Sequence, residues 1–246
     1  MEIVKYKKLK NNKYQVVFSN KETVDLYDDI ILKYNLLRKK EITKDELTTI
    51  INDNTSLEAF MDGVNYFNKK LRSKKEVFNY LTKKEYSKND VNKAIKLLEE
   101  RNIINDDFVC KCFINDQITF NLRGPYKIKD ELIKLGISED IINNNLDFND
   151  SRYAENITKI INKKIKANHK YSKNMLINRI KNDLYNMGYQ NYDHLVNCID
   201  IDDQAFLQKD YQKLLAKYQN KENKEYLIKQ KLYQKGYSSD DINQLF

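Results

Sequence analysis

One proline and five glycines are all the backbone punctuation in 246 residues. That scarcity excludes a fold of many short strands and tight turns, and it favours helices joined by short corners. No apolar run approaches the roughly 18 residues that cross a bilayer, and Met1–Lys5 contains no apolar signal-peptide core. Cys110, Cys112 and Cys198 are odd in number and give no disulfide framework. The two histidines, His169 and His194, have no companions at metal-ligand spacing, so neither metal nor cofactor is expected. Without a Gly-rich phosphate loop, nucleotide hydrolysis has no support. Ser73 and Ser87 read as helix caps rather than nucleophiles. These gaps predict a cytoplasmic protein that is not an enzyme and does not enter membranes.

What the chain does contain is charge and period. Its net charge is +8, which suits a polyanionic partner. A corner signal recurs at Glu85-Tyr86-Ser87, Gly136-Ile137-Ser138, Gly188-Tyr189-Gln190 and Gly236-Tyr237-Ser238, 48 to 52 residues apart. A period of this length means stacked supersecondary units. Each glycine stands where a left-handed helix C-cap is expected, and Glu85 takes that place in the first copy. The units open alike, at Asp106-Asp107-Phe108, Asp150-Ser151-Arg152-Tyr153 and Asp203-Gln204-Ala205-Phe206. Acid at a helix start suits the dipole, and the aromatic begins a buried stripe.

The spacing predicts helices over about 57–71, 74–84 and 88–101, then 106–121, 125–135 and 139–145. Next come 150–168, 173–187 and 191–199, and finally 203–219, 223–235 and a short helix from 239. Thr43-Lys44-Asp45-Glu46 and Ser73-Lys74-Lys75-Glu76 are capping boxes. Pro125 suits a first helical turn. Before residue 28 the pattern changes. Ile3–Leu9, Tyr14–Phe18 and Thr23–Leu26 are β-rich runs parted by the turn-like pairs Asn11-Asn12 and Ser19-Asn20. The expected domains are residues 1–56 (meander plus helices), three-helix repeats at 57–104, 105–148 and 149–201, and a partial repeat at 202–246.

Charge follows the repeat. Residues 159–182 hold eight basic side chains and no acid, whereas 139–150 and 193–203 hold four acids each and no lysine or arginine. Single lysines usually just solvate a helix face. Basic blocks recurring before each corner instead suggest a row that tracks a phosphate backbone or an acidic groove. Tyr86, Tyr126, Tyr171 and Tyr237 lie near that row, and rings there can stack on bases. Cys110 and Cys112 read as packing residues.

Three segments resemble the RecX family of RecA regulators. They are Leu71-Arg72-Ser73-Lys74-Lys75-Glu76-Val77 with Leu81, Glu99-Glu100 with Ile103-Ile104-Asn105-Asp106, and Arg123-Gly124-Pro125-Tyr126-Lys127-Ile128 with Leu132 and Gly136. Asn102 stands where that family usually has glycine. The resemblance implies a mainly α fold of tandem three-helix repeats in an elongated, curved solenoid, with a small N-terminal antiparallel β meander. It also implies binding of the RecA–single-stranded-DNA filament and inhibition of its ATPase and strand exchange in recombination and repair, and the protein is expected to be a monomer. Its own affinity for single-stranded DNA would be weak and non-specific. The residues expected to meet filament or DNA are Arg72, Lys74, Lys75, Arg123, Lys127, Lys163, Lys164, Lys166, Lys173, Arg179 and Lys181. The alternative is a sequence-independent nucleic-acid-binding repeat protein that acts without RecA. A scaffold that binds protein through the acidic third helices is a further class.

Overall fold

A computed structural model describes residues 1–246. Strands β1 (Ile3–Lys8), β2 (Lys13–Phe18) and β3 (Thr23–Tyr27) form one antiparallel sheet in the order β1-β2-β3. Asn11 and Asn12, at φ 56° and 57°, turn the first hairpin as expected. In the second turn the left-handed residue is Lys21, at φ 68°, just beyond the expected pair. Val16, Phe18 and Leu26 face inward and share a core with Ile30, Ile31, Leu36, Ile42, Leu47 and Ile50.

The rest is helical: α1 (Asp28–Lys33), α2 (Lys44–Lys69), α3 (Lys74–Lys83), α4 (Lys88–Glu100), α5 (Asp106–Thr119), α6 (Pro125–Leu135) and α7 (Glu139–Asn145), then α8 (Arg152–Lys166), α9 (Lys173–Asn186), α10 (Asp193–Asn197), α11 (Gln204–Tyr218), α12 (Lys224–Gln234) and α13 (Ser239–Asn243). The fold is therefore mainly α with one small N-terminal sheet. No helix is long and apolar enough to cross a membrane.

The helix starts obey local chemistry. Thr43 and Ser73 form complete capping boxes with Glu46 and Glu76. Ser87, Ser138, Ser172 and Ser238 each accept from an amide three residues on. One difference is large. The signals at Thr43 and at residue 57 belong to a single 26-residue helix, α2. Its polar middle, Asp53-Asn54-Thr55-Ser56, stays helical because tertiary partners satisfy it. Buried Asn54 accepts from the Tyr27 amide at 2.9 Å and donates to the Asp25 carbonyl at 3.2 Å. Asp53 meets Lys33 and Tyr34 at 2.5 and 2.7 Å, and Ser56 donates to Asp90 at 2.5 Å.

The chain divides into two compact units. The first comprises Met1–Val109 with Leu135–Ile137, and the second Cys110–Lys134 with Ser138–Phe246. Besides the sheet core, the first unit holds a cluster of Ala59, Phe60, Val77, Leu81, Val91, Ala94, Ile95 and Leu98 across α2, α3 and α4. In the second unit, Ile128, Leu132, Ile157, Ile180 and Leu184 are buried, as is Cys110. Leu207, Leu214, Ile228, Leu232, Tyr237 and Ile242 form the core of α11–α13.

Candidate nucleic-acid interface

Six of the eleven candidate residues flank one kind of joint, which recurs three times. The residue before a middle helix bonds to the last residues of a later middle helix, some 63 residues on. In the first unit, Ser73 Oγ donates to the Leu135 carbonyl at 2.6 Å. In the second unit, Ser172 Oγ donates to the Lys235 carbonyl at 2.6 Å. Between them in sequence, Gly124 has no hydroxyl, so its backbone N–H donates to the Met187 carbonyl at 2.8 Å instead. The partner corner comes closer as a result. A Cβ on Gly124 would lie 2.3 Å from the Gly188 carbonyl oxygen.

An acid from the following helix start completes two joints. Asp106 accepts from the Lys74 amide at 2.8 Å, and Asp203 from the Lys173 amide at 2.6 Å. Burial pushes the Asp106 carboxyl up, with the Lys74 amide pulling the other way. Pro125 occupies the matching place at the third joint and has no N–H to give. Asp150 turns instead to Arg152, accepting from Nε at 3.0 Å and Nη2 at 2.6 Å. Arg152 therefore holds the Asp150 carboxyl below the usual carboxylate range.

The candidates fare differently. Arg72 is half-buried; its guanidinium lies 4.7 Å from the Tyr66 ring centre and Nη1 donates to Glu76 at 2.9 Å. Its Nε is buried with no hydrogen-bond partner. Tyr66 in turn stacks on Tyr80 at 4.0 Å. Arg72 is thus part of the packing at this corner. Lys74 pairs with Glu99 at 2.7 Å, and Lys75 lies against the Gly136 corner.

In the second unit, Arg123 and Lys127 flank the Gly124 joint and are half-buried. Exposed Lys163, Lys164 and Lys166 end α8, where positive charge suits the helix dipole. Ion pairs join Lys164 to Asp183 at 2.5 Å, Lys173 to Asp200 at 2.8 Å and Lys181 to Asp193 at 3.0 Å. The hydrogen bond from Lys173 holds the Asp200 carboxyl below its ordinary range. Two of these acids, Asp193 and Asp200, come from the acidic stretch after α9, which therefore supplies counter-charges to the basic block. Pairs this exposed contribute about 0–1 kcal/mol, so an incoming phosphate can displace them. Exposed Arg179 lies 4.4 Å from the Tyr171 ring centre, and Lys170 lies 4.9 Å from it.

Those two cations occupy the Tyr171 ring. Tyr86 and Tyr237 are also committed, donating to Asp62 and Asp210 at 2.9 Å each, and Tyr237 is buried. Of the four tyrosines singled out for stacking, Tyr126 remains open, at 38% exposed. Exposed Tyr185 and half-buried Tyr192 carry no such signal in the sequence; Tyr192 comes to the same hollow as Tyr126 through the Gly124–Gly188 joint.

No family model matches the chain. Named relatives do. A protein of Streptococcus pneumoniae (strain CGSP14), "Regulatory protein RecX", is 31% identical over 258 residues, covering 98% of this chain and 97% of its own. The protein of that name from Listeria monocytogenes serotype 4a (strain HCC23) is 30% identical, covering 94% of this chain and 89% of its own. A solved structure, "Crystal structure of regulatory protein RecX", shares the fold with a TM-score of 0.66 at 18% identity. It covers 78% of this chain and 96% of that one. Near-full-length likeness on both sides, together with the fold, leads to one conclusion: this chain belongs to the RecX family of regulatory proteins.

Proposed function

We propose that this protein regulates a RecA recombinase by binding its single-stranded-DNA filament and lowering ATP turnover and strand exchange. The observation that carries the reading is the likeness to proteins named regulatory protein RecX, which covers 98% of this chain in the Streptococcus pneumoniae relative. Exposed Lys163, Lys166 and Arg179 and the weakly paired Lys164, Lys173 and Lys181 supply cations for phosphate or for an acidic filament wall. Lys127, Arg123, Lys74 and Lys75 add charge at the joints, and Arg72 acts by holding its corner in shape. The protein acts as a monomer in the cytoplasm, needs no cofactor and catalyses nothing itself.

RecA ATPase on preformed filaments, with no free DNA and increasing amounts of this protein, tests the reading. Turnover should fall at well below one molecule per RecA subunit. Unchanged turnover, with equal affinity for naked and coated DNA, would instead support a nucleic-acid binder acting without RecA.

A further inference from the structure

A cleft of about 580 Å³ opens beside the outer face of α9, lined by Lys181, Asn182, Tyr185, Gln190, Asn191 and Tyr192 among others. A second hollow of about 220 Å³ adjoins it, sharing Gln190, Asn191 and Tyr192 and adding Tyr126 and Phe148. Both lie wholly within the second unit. We propose that this aromatic cleft binds unstacked bases of a single-stranded nucleic acid. The assignment deepens the filament reading and rests on its single-stranded DNA.

The walls suit a flat heteroaromatic ring. Tyr185 is 69% exposed and Tyr126 38%, so each has ring surface to offer. Tyr126 meets Phe148 edge-on at 5.1 Å, and Tyr192 meets Tyr189 edge-on at 5.8 Å. Buried Tyr189 anchors Tyr192, its own hydroxyl donating to the Leu122 carbonyl at 3.0 Å. Burial, and to a lesser degree the neighbouring Tyr126, pushes the Tyr192 phenol up, so it stays neutral at working pH. Rings held this way accept any base, because every base has a π face.

The polar groups fit as well. Asn182, Gln190 and Asn191 each carry donors and acceptors, as base edges do. Asn191 stands at φ 64°, a left-handed turn that places Gln190 and Tyr192 on the shared wall of the two hollows. Lys181 lines the larger hollow, paired with an Asp193 whose side chain is 69% exposed, so a phosphate can take its place. The only carboxylate in either lining is Asp193, which makes a cationic ligand a poor fit. Open, amide-rich walls are equally unsuited to lipid.

The cleft rests on a stiff support. The Tyr126 amide donates to the Gly188 carbonyl at 3.2 Å, so the joint that fixes α6 against the α9 corner also sets Tyr126 beside Tyr192.

The test compares labelled oligothymidine with an abasic strand of equal length, using fluorescence anisotropy on the full chain. Both strands carry the same phosphates, so any difference reports recognition of the bases. The wild type should bind oligothymidine about tenfold or more tightly than the abasic strand, as one or two stacked bases give. The double variant Tyr126→Ala/Tyr192→Ala should lose that preference and keep the weaker, salt-sensitive phosphate binding. Tyr126→Phe/Tyr192→Phe should retain it. If circular dichroism shows that the Ala pair is unfolded, Tyr126→Ala/Tyr185→Ala takes its place, since both rings are exposed. Equal affinity of the wild type for the two strands, or a folded Ala variant with its preference intact, overturns the proposal. RecA ATPase on preformed filaments separates the two readings. Inhibition by a wild type without base preference removes the cleft alone. Base preference without inhibition removes the filament reading alone.

Discussion

Glu85 occupies a backbone conformation that the other three corners give to glycine. Its φ is 64°, against 83°, 87° and 84° at Gly136, Gly188 and Gly236. A side chain in this region costs about 1–2 kcal/mol. Glu85 is exposed, so no packing of its side chain offsets that cost. Glu85→Gly should therefore stabilise the protein by about 1 kcal/mol, partly offset by the greater freedom of glycine in the unfolded chain. Urea unfolding should show a higher midpoint for Glu85→Gly and no gain for Glu85→Ala. Asn102 shows the milder solution, at φ 52°, because asparagine tolerates left-handed backbone. At this level the sequence is informative wherever the chemistry is local. The capping serines and the corner glycines could be read directly. The packing of Arg72 on Tyr66 could not, because it depends on where α2 ends relative to α3.

Among the elements, helix positions after residue 73 were legible to within a few residues, since caps and apolar periodicity agree there. The continuity of α2 was not, because its polar middle draws support from β3, α1 and α4. Nor was the joint between middle helices, whose partners stand some 63 residues apart. Its sharpest test is Gly124. A Cβ there meets the Gly188 backbone, and backbone cannot swing aside as a long side chain can. Gly124→Ala should destabilise the protein by about 1–3 kcal/mol, as overpacking does. Thermal unfolding would check this, with Ser172→Gly expected to be milder because it removes the cap and the bond to Lys235 without adding a clash. The candidate cleft was half legible: Tyr126 stood out beside the basic residues, whereas Gln190, Asn191 and Tyr192 gain meaning only once the joint brings them to Tyr126.

For the molecule as a whole, the excess of eight positive charges governs encounters with partners. Changing Lys163, Lys164, Lys166, Lys173, Arg179 and Lys181 to Ala should leave folding nearly intact, because surface substitutions usually cost under about 0.5 kcal/mol each. Binding to single-stranded DNA should weaken, and the dependence of log K on log salt should flatten by roughly 0.7 for each phosphate that is no longer neutralised. An unchanged slope across several salt concentrations would reduce the block to a solvated face. The family was legible from its motifs, but the ion pairs that tether Lys164, Lys173 and Lys181 were not, since their acids lie 12 to 27 residues away in sequence.

The recurring joint also sets a timetable for synthesis. Ser73 cannot close on Leu135, nor Ser172 on Lys235, until roughly 60 further residues have been made. At about 5–20 residues per second that is a wait of several seconds for each joint. Capped helices such as α3 and α9 form far sooner. During translation the growing chain therefore carries one or two unclosed corners at a time, and each new segment seals the one before it. A ribosome that stalls after α9 would hold a chain with its newest corner, at Ser172, still open to chaperones and proteases.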